Sequence, residues 1–206
     1  MAALKEMGRG FEVGSVRVPI VPQAILFDLL NGGNKDWGRM PPYWELGYQA
    51  TKSAGRDVAL GTAGAGYGAT TATLKGGLGS ASVKTSSGFT VGAVVAVNAV
   101  GTATIGDGPH FWAAPYEHGR EFGGLGLPKE ISEIDLRPRL KGSAQRANTV
   151  IGCIATDAAL TKAECKRVAL AAHDGLARAI RPAHTPMDGD TLFAAATAFK
   201  PLDKGV

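Results

Sequence analysis

Residues 150–197 constrain the fold more tightly than any other part of the chain. Val150-Ile151-Gly152-Cys153-Ile154-Ala155 is a short apolar run, and Val150–Thr156 reads as a core strand. Thr161-Lys162-Ala163-Glu164 then has the form of a capping box. The Thr161 hydroxyl can accept from the N3 amide while Glu164 reaches back to the N-cap amide, so a helix starts here. Val168, Ala172, Leu176 and Ile180 recur every four residues with Cys165 and Ala169 on the same side, giving one apolar stripe that must end before Pro182. A polar turn, Thr185–Asp190, and a second strand, Thr191–Thr197, complete a strand, helix, acidic turn, strand order.

Upstream the pattern is looser. Met1–Gly10 reads as the tail of a helix closed by Gly8 and Gly10, and Val16–Leu30 as extended chain broken at Pro19 and Pro22. Tyr43–Arg56 reads as a helix, Ala81–Lys84 as strand-like and Phe89 to Asn98 as a clear strand. Pro109–Arg146 is polar, rich in Gly and Pro and without periodicity, which predicts a long loop of functional or mobile character. Of the 29 glycines, 14 are concentrated in 61–79, 101–108 and 119–126, beside strand-like runs, so they predict tight turns and close backbone approaches.

At 206 residues the chain suits a single domain able to bury roughly 70% of its unfolded surface. Its 22 basic and 18 acidic residues are scattered rather than gathered with aromatics, so no nucleic-acid partner is expected. Cys153 and Cys165 lack metal-ligand spacing and read as free thiols of a reducing compartment. Val91–Val100, the best apolar run, is too short to span a bilayer and carries Asn98, and Lys5-Glu6 interrupt any signal-peptide core. The expected location is cytoplasmic, with no membrane partner.

Several groups carry candidate chemistry. Gly64-Ala65-Gly66-Tyr67-Gly68-Ala69 fits a dinucleotide-loop pattern in form, but no acid follows where a ribose would need one; tight turns are expected and no cofactor. Asp188-Gly189-Asp190 sets two carboxylates two residues apart, and on spacing alone it reads as a solvated turn. It lacks the further oxygen donors of a calcium loop, and no metal is expected. His173 and His184 read as structural. A G-x-S-x-G elbow is absent. Thr149 remains, at the border between a polar run and the strand that begins at Val150. A threonine hydroxyl needs a base, and one solution is to free its own α-amine, which an internal Thr149 obtains only by cleavage of the Asn148–Thr149 bond.

Asn148-Thr149-Val150-Ile151, Ala155–Pro182 and His184–Ala194 (HTPMDGDTLFA) resemble the self-processing aminopeptidases of the DmpA/NylC type. That family takes in L-aminopeptidase/D-esterases, β-peptidyl aminopeptidases and the 6-aminohexanoate-oligomer hydrolase. Val16–Leu29, Lys75–Gly79 and Val91–Asn98 resemble it in the same order. The resemblance implies an α/β (α+β layered) fold, an αββα sandwich of the DmpA/ArgJ type resembling N-terminal-nucleophile hydrolases. It implies a single hydrolase domain, 1–206, cut into an α fragment 1–148 and a β fragment 149–206. Thr149 would then hydrolyse short peptides or amino-acid oligomer amides through an acyl-enzyme. By motif position Asp188 and Asp190 would orient or polarise Thr149, and Lys75 and Asn98 would lie near the reacting carbonyl. A homo-oligomer of αβ units is implied.

The resemblance also implies a longer chain at both ends, so the domain is expected to be incomplete, and Phe27 stands where some relatives carry tyrosine. Two alternatives stay open at this level. One is an inactive truncated homologue or non-catalytic subunit; the other is an acyltransferase of the ArgJ type.

Overall fold

The computed structural model describes residues 1–142 and 148–202. The last residues of the expected 109–146 loop, Gln145 and Arg146 among them, lie outside the described residues. The chain forms two compact units, one built from Met1–Ile25 with Gly32–Ala59, the other from Leu26–Asn31 with the chain from Leu60 onward.

The first unit holds helix α1 (Ala2–Glu6), an antiparallel hairpin of β1 (Phe11–Val13) and β2 (Val16–Val18), and helix α2 (Tyr43–Lys52). β2 ends at Val18, where the extended reading placed its first break, because Pro19 has no N–H to continue the ladder. α1 and α2 are tied through Glu6, which accepts from the Tyr48 hydroxyl at 2.7 Å and lies 3.3 Å from Lys52 Nζ.

The second unit is a four-stranded sheet with one long helix. Its elements are β3 (Gly77–Lys84), β4 (Thr90–Asn98), a one-turn helix α3 (Glu133–Leu136), β5 (Thr149–Ala158), α4 (Lys162–Ala179) and β6 (Thr191–Lys200). The strand order is β3-β4-β5-β6, with β3, β4 and β5 antiparallel in turn and β5 parallel to β6. A parallel pair needs a crossover, and α4 supplies it. The helix starts as its sequence predicts: Thr161 Oγ1 accepts from Glu164 N while the Glu164 carboxylate accepts from Thr161 N at 2.7 Å.

β5 alternates as a half-covered strand should. Val150, Gly152, Ile154, Thr156 and Ala158 are buried, while Cys153 and Ala155 are exposed on the other face. Ala99, Val150, Leu176 and Ile180 form the core between sheet and helix, with Val95 and Leu192 packed against it. Burial of the Val150, Leu176 and Ile180 side chains contributes about 1.5–3 kcal/mol each. The long helix anchors its stripe here, and its last turn delivers residues 180–190 back to the head of β5.

The fold is therefore mixed α/β, one sheet layer and one helix layer of the layered arrangement the resemblance implies. The glycine-rich loop is the close backbone approach its composition predicts: a Cβ on Gly66 would collide with the Gly77 carbonyl carbon. Over 109–142 the segment carries a 3-10 turn at Ala114–Tyr116 and α3, whose capping box joins Ser132 and Asp135, so these residues are more ordered than their composition suggests. Among the described residues Cys153 and Cys165 are free, and no helix is long and apolar enough to cross a membrane.

Candidate active site at the head of β5

Thr149 opens β5 and faces Asn98, the last residue of β4, across the ladder. Both are buried, Asn98 fully. Asn148 pairs with Asp188 in an isolated parallel bridge, so the turn before β6 runs alongside the bond between Asn148 and Thr149. The Asn148 carbonyl oxygen accepts two hydrogen bonds, from Thr149 Oγ1 at 2.6 Å and from the Gly189 amide at 2.8 Å. A hydroxyl thus lies on the carbonyl that precedes it, while a backbone N–H polarises the same carbonyl from the turn before β6.

Gly189 is small for a reason. A Cβ there would come within 3.0 Å of Thr149 Oγ1. The carboxylates on either side accept from backbone and side-chain donors, and among the described residues no hydrogen bond joins either to the hydroxyl. Asp188 Oδ1 accepts from Val100 N at 3.1 Å, and Oδ2 from the amide and hydroxyl of Thr185. Asp190 Oδ1 accepts from Val150 N at 2.9 Å, and Oδ2 from His184, whose ring Nδ1 is 2.8 Å away. Asp190 therefore braces Val150, the residue after Thr149, while Asp188 ties its own turn to Val100 and Thr185.

Asn98 is held from three sides. Its Oδ1 accepts from Thr70 N at 3.1 Å and Lys141 Nζ at 2.9 Å, and its Nδ2 donates to Phe27 O at 2.9 Å. Burial holds the Lys141 ammonium below the usual lysine range. Lys75 is placed differently. Its backbone bridges to Thr70, one bond from Asn98, but its ammonium rests 5.9 Å over the exposed Tyr67 ring. Among the described residues no hydrogen bond joins Lys75 to Thr149.

The structure thus brings Thr149, Asn148, Asn98, Asp188 and Asp190 together and sets Lys75 at the edge. Sequence reasoning missed Gly189, Lys141 and the contact of His184 with Asp190. Gly189 acts through a backbone N–H, which has no side-chain signature, and a lysine in a non-periodic loop has no pattern to find it by. Asn148 Oδ1 is buried without a hydrogen-bond partner among the described residues. Among those residues no group of three His, Cys, Asp or Glu side chains is placed to hold a metal ion.

The family model for peptidase family S58 matches residues 2–204. The chain belongs to that family. It is 47% identical over 199 residues to an uncharacterized aminopeptidase of Mycobacterium bovis, covering 96% of this chain and 56% of that one. It is 43% identical over 53 residues to a 6-aminohexanoate-oligomer endohydrolase of Kocuria, covering 26% of this chain and 15% of that one. Among solved structures, a β-aminopeptidase of Burkholderia is 25% identical, with a TM-score of 0.49, covering 78% of this chain and 40% of that one. The chain spans about half the length of the curated mycobacterial relatives it matches.

Proposed function

We propose that this chain is a self-processing amide hydrolase that cuts the Asn148–Thr149 bond and then uses Thr149 as an N-terminal nucleophile. The observation that carries the reading is the geometry at that bond. Thr149 Oγ1 sits 2.6 Å from the carbonyl oxygen of Asn148, and Gly189 N–H donates to the same oxygen. Oγ1 adds to the Asn148 carbonyl carbon, and the charge developing on oxygen is met by the Gly189 amide. The C–N bond breaks as the hydroxyl proton passes to the leaving nitrogen, leaving Asn148 esterified to Oγ1 and Thr149 with a free amine. Water opens the ester, giving fragments of 148 and 58 residues. In turnover the free amine takes the Oγ1 proton while the oxygen attacks a substrate carbonyl, and water releases the acyl group.

In this scheme Asp190 holds the backbone after the nucleophile at Val150, and Asp188 fixes the turn that carries Gly189 through Val100 and Thr185. Asn98 serves the oxyanion side, a role supported by its pairing with Thr149, and Lys75 joins it only when its ammonium leaves the Tyr67 ring. The names of the relatives favour short peptides or ω-amino-acid oligomers as substrates. Assembly of αβ units into a homo-oligomer belongs to the same proposal, supported by the exposure of Val83 and Phe199 on the two edge strands. Light scattering on the processed protein measures it.

The test is intact mass with N-terminal sequencing after incubation at neutral pH. A fragment beginning Thr149-Val150-Ile151 is expected; a chain that stays whole, or is cut elsewhere, contradicts the reading.

A further inference from the structure

Asp190 is a nearly buried carboxylate, its side chain 4% exposed, and among the described residues neither Lys nor Arg pairs with it. A buried carboxylate needs donors on its oxygens. Oδ1 takes the Val150 amide, one residue from the nucleophile, and Oδ2 takes two donors from a single residue, the His184 amide at 3.3 Å and ring Nδ1 at 2.8 Å. His184 adopts φ 57°, a left-handed conformation that a residue with a Cβ enters at a cost. Its ring is held against His173 of α4, with centroids 4.8 Å apart and Nε2 3.3 Å from the His173 carbonyl oxygen. The ring is therefore fixed by the helix on one side and aimed at the carboxylate on the other.

We propose that His184 is a positioning residue for the chemistry assigned to Thr149. Its ring N–H orients the Asp190 carboxylate, and the other oxygen of that carboxylate holds Val150 N–H and with it the head of β5. The proposal rests on the Thr149 reading for its catalytic consequence, but the orientation it describes is measurable without catalysis. Removal of the ring N–H leaves Oδ2 with one weaker donor, and the carboxylate is free to turn away from Val150.

Two variants separate side chain from backbone. His184→Asn keeps a side-chain N–H near the Nδ1 position and tolerates the left-handed conformation, whereas His184→Gly tolerates that conformation and has no side chain. Amide hydrogen exchange at Val150 is expected to quicken in His184→Gly and to stay near wild type in His184→Asn. Self-cleavage and then kcat are expected to fall about tenfold or more in His184→Gly with KM little changed, and to remain within about threefold of wild type in His184→Asn, as loss of fixed geometry at a nucleophile implies. Unchanged Val150 exchange in His184→Gly overturns the proposal, as does an asparagine variant no better than the glycine one. A wild-type chain that never cuts before Thr149 refutes the Thr149 reading instead, and the exchange result still decides whether His184 orients Asp190.

Discussion

At the far end of β5, Asp157 lies 2.7 Å from Lys200 Nζ and accepts from the Thr90 amide at 2.8 Å; at the head of the strand, Asp188 and Asp190 accept from backbone amides, the Thr185 hydroxyl and His184. The Lys200 ammonium, then the Thr90 amide, hold the Asp157 carboxyl below the usual carboxylate range. That clasp joins the start of β4 to the ends of β5 and β6, and nothing reactive adjoins it. The head of the strand has no such ion pair to Lys or Arg among the described residues. Instead a hydroxyl, a carbonyl and a backbone N–H converge there. A carboxylate matched to a cation closes a sheet; carboxylates matched to amides hold in register the bond proposed for self-cleavage.

The largest effect that tests this contrast is loss of the hydroxyl. Thr149→Ala is expected to abolish both cleavage and turnover, while Thr149→Ser keeps both, as followed by gel and mass spectrometry. Continued cutting before residue 149 in the alanine variant would remove Oγ1 from the mechanism. Next is Gly189→Ala, whose methyl would meet Oγ1 at 3.0 Å. Its displacement of hydroxyl or amide is expected to slow self-cleavage about 10- to 100-fold with the fold retained, and a normal rate would show that the close approach is idle. Asp188→Asn and Asp190→Asn each replace an acceptor oxygen with a donor facing donors, and about a tenfold fall in processing is expected from either, since removing one preorganised contact costs this much or more. Normal processing and turnover in both would end their assigned role.

The smallest effect lies at the opposite end. Asp157→Asn is expected to leave cleavage unchanged and to lower the melting temperature slightly. The sign with pH follows from the depressed carboxyl. Its stabilisation is present above the ordinary aspartate value of about 4 and is lost as pH falls through the lower folded value. Wild type and variant should therefore differ most near neutrality and converge in acid. A cleavage defect in this variant would blur the division between the two ends.

The residues that reveal themselves in sequence are those with a local pattern. The Thr161–Glu164 box, the four-residue stripe ending at Ile180 and the acidic turn before Thr191 mark β5, α4 and β6 to within a few residues. The pairing of β5 with β4 is invisible because it depends on a register between strands fifty residues apart, and so the meeting of Asn98 with Thr149 is known only from the fold. Gly77–Gly79 hides the first half of β3, since glycine carries no side-chain alternation to read. Asn148-Thr149 and the two acids are legible by resemblance. Lys141 reaches Asn98 from a loop of no periodicity, and the Gly189 amide is a backbone group that no side-chain pattern announces.

The central claim is that the Thr149 oxygen attacks the Asn148 carbonyl, and hydroxylamine tests it most directly. Processing in its presence diverts an ester at Oγ1 to a hydroxamate. A 1–148 fragment ending in Asn148 hydroxamate, formed by wild type and not by Thr149→Ala, is the predicted result. An Asn148 carboxylate alone at saturating hydroxylamine, or the same fragment from the alanine variant, would contradict the account.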